Sequence, residues 1–87
     1  MKSKIKSSDF FCLLEMINRD VYLEMNKSTY KKIIGNVGGI NPDDITNIQD
    51  MINGVKIEFQ ENIPSNTVFI IVKYIPHTRE KLEIEII

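Results

Sequence analysis

The chain has 87 residues with 11 basic against 12 acidic side chains, and is 43% hydrophobic and 26% charged, the make-up of one small globular domain over residues 1–87 rather than of a disordered chain. A net charge of −1 sets aside a strongly basic nucleic-acid binder and a strongly acidic nucleic-acid mimic alike. The longest apolar run, Val68 to Val72, is far short of the ~20 residues that cross a bilayer.

The lysines Lys2, Lys4 and Lys6 alternate with other residues, which reads either as a short arm or as a first edge strand. From Ser8 the pattern turns helical: Phe10, Leu13, Leu14 and Ile17 recur at i, i+3, i+4 and i+7, with Ser8 or Asp9 available to cap. The same stretch excludes a signal peptide, because Glu15 interrupts its apolar part and no small-residue cleavage site follows. "DVYLEM" sets Val21, Leu23 and Met25 on one face against Tyr22 and Glu24, a short strand. Asn26 is then a good N-cap for a second helix to about Ile34, with Met25 and Tyr30 spaced as a hydrophobic staple.

"GNVGG" invites comparison with phosphate-cradling loops. Those fix their glycines as G-x-x-x-x-G-K-[ST], or as G-x-G-x-x-G after a strand, and Gly35, Gly38 and Gly39 fit neither. Gly35 or Asn36 ending the helix in a left-handed conformation, with Gly38-Gly39 redirecting the chain, accounts for them. A third helix is expected from "INPDDITNIQDMI": Asn41 caps, Pro42 takes the first turn, Asp43 and Asp44 favour the positive end of the dipole, and Ile45, Ile48, Met51 and Ile52 follow at helical spacing until Asn53-Gly54 stops it.

Beyond Gly54 the period becomes two. Val55, Ile57 and Phe59 alternate with Lys56 and Glu58 in a half-buried strand, and "QENIPSN" is turn chemistry. "TVFIIVKYI" is apolar on both faces and so belongs at the centre of a sheet. After "PHTRE", Leu82, Ile84 and Ile86 alternate with Lys81, Glu83 and Glu85. The expected fold is α+β, with N-terminal helices packed on one face of a three- to four-stranded antiparallel sheet, a C-terminal β-meander whose last strand, "EIEII", forms an edge.

The inventory for catalysis is thin. Cys12 and the sole histidine, His77, lie far apart in sequence; Cys12 amid "FFCLLEM" reads as a small buried hydrophobe and His77 as a solvated turn residue. A lone cysteine forms no internal disulfide, in keeping with a reducing, cytoplasmic setting. So few cysteines and histidines make no zinc site, Asp43-Asp44 lacks the spacing of a calcium loop, and Glu83, Glu85 and the nearby Glu80 read as a solvated strand face. No enzyme activity, cofactor or metal is expected. Lys2, Lys4, Lys6, Lys27, Lys31 and Lys32 beside Tyr22 and Tyr30 could make a basic patch for single strands, but the 12 acids offset the 11 bases overall and the strands carry no RNP-like motif.

"YLEMNKSTYKKIIG" followed by "MINGVKIEFQENIPSNTVFII" resembles a strand–helix–strand segment of tailed-phage capsid-type proteins and small phage reading frames, through Met25, Asn26, Thr29, Tyr30, Gly54, Val55, Ile57, Ile63, Pro64 and Thr67. The resemblance covers a little over half of the chain and implies phage or mobile-element origin, with no functional residue carried over. The expected function is accordingly a non-catalytic protein–protein interaction module, an inhibitor or adaptor docking on a larger protein such as a host defence effector (a restriction or CRISPR complex). A self-associating virion or assembly component is the alternative, and a weak nucleic-acid binder the further one; a homodimer stays open, and no membrane is involved. Candidate partner-binding residues are Tyr22, Lys31, Lys32, Lys81, Glu83 and Glu85.

Overall fold

Side chains of period two and period 3.6 each need an apolar partner surface, and the described residues satisfy both with one sheet and two helices. In the computed structural model, which describes residues 3–17, 20–73 and 81–87, the order is β1 (Ser3–Ile5), α1 (Ser7–Met16), β2 (Val21–Met25), α2 (Lys27–Gly38), a 3-10 turn (Pro42–Asp44), β3 (Met51–Ile52), β4 (Val55–Phe59), β5 (Thr67–Val72) and β6 (Lys81–Ile86). The strands form one six-stranded sheet in the order β1-β6-β5-β2-β4-β3. Pairing is mixed: β1 runs parallel to β6 and β2 parallel to β4, while β2–β5, β5–β6 and β3–β4 are antiparallel. The α+β class stands, but the sheet is larger than the expected three to four antiparallel strands.

Strand direction explains the layering. From β1 through α1 to β2, and from β2 through α2 to β4, the chain joins parallel strands and steps the same way across the sheet. Crossovers of one hand then put both helices on one face. Phe10 and Leu14 of α1 and Tyr30 and Ile33 of α2 meet Leu23, Met25, Ile57, Val68, Ile70, Ile84 and Ile86 there in a single buried cluster. As the alternation requires, β5 is central and β6 buries Ile84 and Ile86.

Three expectations are corrected. The "EIEII" strand is not an edge, because Ser3, Lys4 and Ile5 pair with Ile84, Glu85 and Ile86 and enclose β6 between β1 and β5. No third helix follows Asn41. Asn41 Oδ1 does accept from the Asp43 N–H (3.1 Å) and Pro42 opens the turn, yet only one 3-10 turn forms. The residues after it find better partners extended: the Gln49 N–H donates to the Tyr30 hydroxyl (3.3 Å), the Asp50 carbonyl accepts from Ile57 (2.8 Å), and Ile45 and Ile52 enter the core. Asn53 and Gly54, at φ 49° and 82°, are both left-handed and join Ile52 to Val55 as a two-residue hairpin turn, which is the other meaning of Asn-Gly. The third correction is Cys12, which is exposed.

Helix α2 also runs further than expected. It passes Gly35 and ends at Gly39, whose φ of 68° supplies the left-handed cap. Gly35 serves closeness instead: a Cβ there would sit 2.6 Å from the Ile40 carbonyl oxygen and 3.1 Å from the Pro42 ring. At the other end of α2, Asn26 caps as expected and does more. Its Oδ1 accepts from the Thr29 N–H (2.8 Å) and the Thr29 hydroxyl (2.9 Å), while its Nδ2 donates to the Ile63 carbonyl (2.8 Å) and to Ser65 Oγ (3.3 Å). Thr29 Oγ1 in turn accepts from the Asn66 N–H (2.9 Å). Residues 60–66 are thereby strapped over the junction of β2 and α2. Helix α1 has no such cap: Lys6 holds its N-cap position without a side-chain bond, and Ser7 accepts from Asn36 of α2 (3.0 Å).

Asn26→Ala removes the cap and strands the buried Ile63 carbonyl and Thr29 donors, so urea denaturation should show a loss of about 2–4 kcal/mol. Thr29→Val should cost less, about 1–2 kcal/mol, because only the bonds to Asn26 Oδ1 and the Asn66 N–H are lost. The two helix glycines should respond with opposite sign. Gly35→Ala forces backbone apart and should lower stability by about 1–3 kcal/mol, whereas Gly38→Ala, whose new methyl would have nothing nearer than 3.6 Å, should raise it by about 0.5–1 kcal/mol. Thermal melts of the two variants side by side check this.

Candidate functional site

The sheet face turned away from the helices carries the concentration of polar chemistry. Alternation dictates who stands there: with Val68 and Ile70 committed to the core, Thr67, Phe69 and Ile71 of β5 point outward, and their register partners follow. One row across the sheet reads Tyr22, Ile71, Lys81; the next reads Glu58, Glu24, Phe69, Glu83; a third sets Thr67 beside Glu85 and Lys4. The acids and lysines at its margins, Lys4, Lys56, Glu58 and Lys81, are exposed, while Tyr22, Glu24, Phe69, Glu83 and Glu85 are half-buried and Ile71 and Thr67 are buried.

Cations lie over both aromatic rings. Lys73 Nζ stands 6.0 Å from the centroid of Tyr22, and Lys81 Nζ stands 5.3 Å from that of Phe69, both within cation–π range. Lys81 also faces Glu24 Oε1 at 3.8 Å. Glu24 and Glu58 are side by side on parallel strands, a like-charge juxtaposition that costs stability unless a cation relieves it. Lys81 provides that relief from one side. The end of this face is bounded by the 60–66 loop, so that Glu24, Phe69 and Lys81 with Ile63 and Pro64 line a groove of about 400 Å³.

The sequence-derived candidates divide between two places. Tyr22, Lys81, Glu83 and Glu85 share the outer face. Lys31 and Lys32 belong to α2, on the opposite side of the sheet, and Lys32 is engaged there: its Nζ donates to Asn66 Oδ1 (2.9 Å) and to the Ile86 carbonyl (3.3 Å), fastening the helix to the strap and to β6. The basic patch does not assemble either. Tyr30 is 4% exposed and packs edge-on against Phe59 (5.6 Å between centroids, 83°), with no face left for a base to stack on. Of its lysines, Lys4 lies by register with Glu85 on the outer face, while Lys27, Lys31 and Lys32 lie on α2; Lys2 falls outside the described residues, as do His77 and Glu80.

Sequence reading missed Glu24, Glu58, Phe69 and Lys73 as members of this surface. Alternation in "DVYLEM" already put Glu24 beside Tyr22. Phe69 was hidden in a strand apolar on both faces, where only the register to β2 and β6 says which face it occupies. Among the described residues no three histidine, cysteine, aspartate or glutamate side chains are grouped to hold a metal ion, and no helix is long and apolar enough to cross a membrane. Compared with family models, with curated proteins and with solved structures, the chain matches none.

Proposed function

We propose that this chain is a non-catalytic docking module, an inhibitor or adaptor of phage or mobile-element origin that acts in the host cytoplasm by presenting the outer face of its sheet to a larger protein such as a host defence effector. The observation that carries the reading is the composition of that face. Aromatic and apolar side chains at its centre, Tyr22, Phe69 and Ile71, are rimmed by lysines and glutamates, as in protein interfaces with an apolar core and a polar rim. Docking by strand addition is less well supported than a terminal edge strand would make it. The sheet's edges are β1, three residues long, and β3, two residues long, and such short edges offer little backbone to an incoming strand.

Affinity capture from lysate of the native host, at low and at physiological salt, tests this with three proteins: the wild type, Tyr22→Ala/Glu58→Lys on the outer face, and Lys27→Glu on α2 as control. One host complex should be retained at both salts by the wild type and the control, and lost at least about tenfold by the outer-face variant, whose circular dichroism and cooperative melt should remain those of a folded chain. Recovery indifferent to the outer face would overturn the reading. Recovery of the chain alone would favour a self-associating assembly component, and of nucleic acid that salt removes, a weak nucleic-acid binder.

A further inference from the structure

The groove between β2, β5 and the 60–66 strap has the makings of a receptor for a cation. Its floor is the Phe69 ring, whose row neighbours are Glu24 on one side and Glu83 on the other, with Glu58 next beyond Glu24. The facing wall is mixed, with Ile63 and Pro64 beside Gln60 and Asn62, so that it offers both an aliphatic contact and polar side chains. A negative π face, carboxylates beside it and an aliphatic contact suit a side chain with a long apolar stem and a charged head.

The protein already puts such a head there. Lys81 reaches over Phe69 and toward Glu24, but it fits loosely: at 3.8 Å the ammonium is beyond hydrogen-bonding distance of the carboxylate, and its side chain is 48% exposed whereas that of Glu24 is 14% exposed. A largely covered carboxylate thus faces a half-exposed ammonium that it does not hydrogen-bond. We propose that this groove is the receptor for an arginine side chain of the partner protein, and that Lys81 is its occupant in the free molecule, displaced on docking. A guanidinium does both jobs better than an ammonium, since its plane stacks on the ring while its fork meets the carboxylate through two hydrogen bonds. Glu24 in the groove, with Glu58 beside it, turns away a phosphate backbone, which makes a protein the matching macromolecule. That assignment of the partner rests on the docking reading above, whereas the groove's preference for a guanidinium stands on its own geometry.

The test is a 15N–1H NMR titration with the peptide acetyl-Gly-Arg-Gly-amide and its neutral isostere acetyl-Gly-citrulline-Gly-amide. The arginine peptide should move the amides of Glu24, Phe69 and Lys81 while the citrulline peptide leaves them in place. Lys81→Ala, which empties the groove, should tighten binding at least about threefold, and Glu24→Gln should weaken it by at least as much, with the spectra of both variants otherwise unchanged. Equal response to the two peptides, no response in Lys81→Ala, or indifference to Glu24→Gln would overturn the receptor. So would a dT8 oligonucleotide that moves the same amides more tightly than the peptide at physiological salt. Failure of the peptide with host capture still dependent on the outer face sinks the receptor alone; peptide binding as expected with capture indifferent to that face sinks the docking reading and leaves the groove a guanidinium site.

Discussion

A buried carboxamide holds this molecule's geometry. Asn26 is 8% exposed, and its side-chain oxygen and nitrogen are both engaged: the oxygen accepts from the Thr29 N–H, one of the unpaired donors at the start of α2, and the nitrogen fixes the carbonyl of Ile63 in a loop 37 residues away. Burying such a group without partners would cost several times what one hydrogen bond contributes on the surface, so strand end, helix start and loop are locked into one arrangement or lost together. Thr29, Asn66 and Lys32 extend the lock to the end of β6, with Asn66 held at a φ of 71° while its carbonyl accepts from Ile86. The wall of the outer-face groove, Ile63 and Pro64, is the far side of this same construction.

The two faces of the sheet follow different rules. Toward the helices, burial is dense and the residues are interchangeable in kind: isoleucine, leucine, valine, methionine, one phenylalanine and one tyrosine. On the outer face, identity matters more than hydrophobicity. Lysines sit over rings and beside carboxylates, exposed on a surface where each such pair contributes little to folding. There the arrangement is set by pairing of ring with cation and of acid with base, not by apolar packing.

How much of this could be read without coordinates depended on range. β2, α2, β4, β5 and β6 were legible because each is announced by its own residues, as with Asn26 capping α2 and Leu82-Ile84-Ile86 marking one strand face. The segment from Ile45 to Ile52 was misread because an isoleucine spacing that fits a helix also fits an extended chain touching the core at its two ends. The deciding contacts, Gln49 with Tyr30 and Asp50 with Ile57, are made with other elements. Asn53-Gly54 was ambiguous for a related reason, since both residues accept the left-handed conformation whether they end a helix or turn a hairpin. Parallel pairing of β1 with β6 lies at the limit of nonlocality, joining the two ends of the described chain. For the outer face, local alternation was enough to group Lys81, Glu83 and Glu85, but Phe69 beside Glu24 needed the sheet's lateral order.

That order has a kinetic side. β1 and β2 are the first two strands in the chain, yet they stand three strand spacings apart, about 14 Å, with β6 and β5 between them. Both strands that separate them, β5 and β6, follow them in the sequence, so no pairing holds β1 in place relative to β2 until residues 67–86 are available. β5 and β6 supply two antiparallel pairings and one parallel one, all of long sequence separation except that between themselves. Contacts so nonlocal belong to the slower class of folding topologies. The same lateral order means that β5 and β6 of an identical chain have the register to occupy those positions, which is the geometry that domain swapping uses.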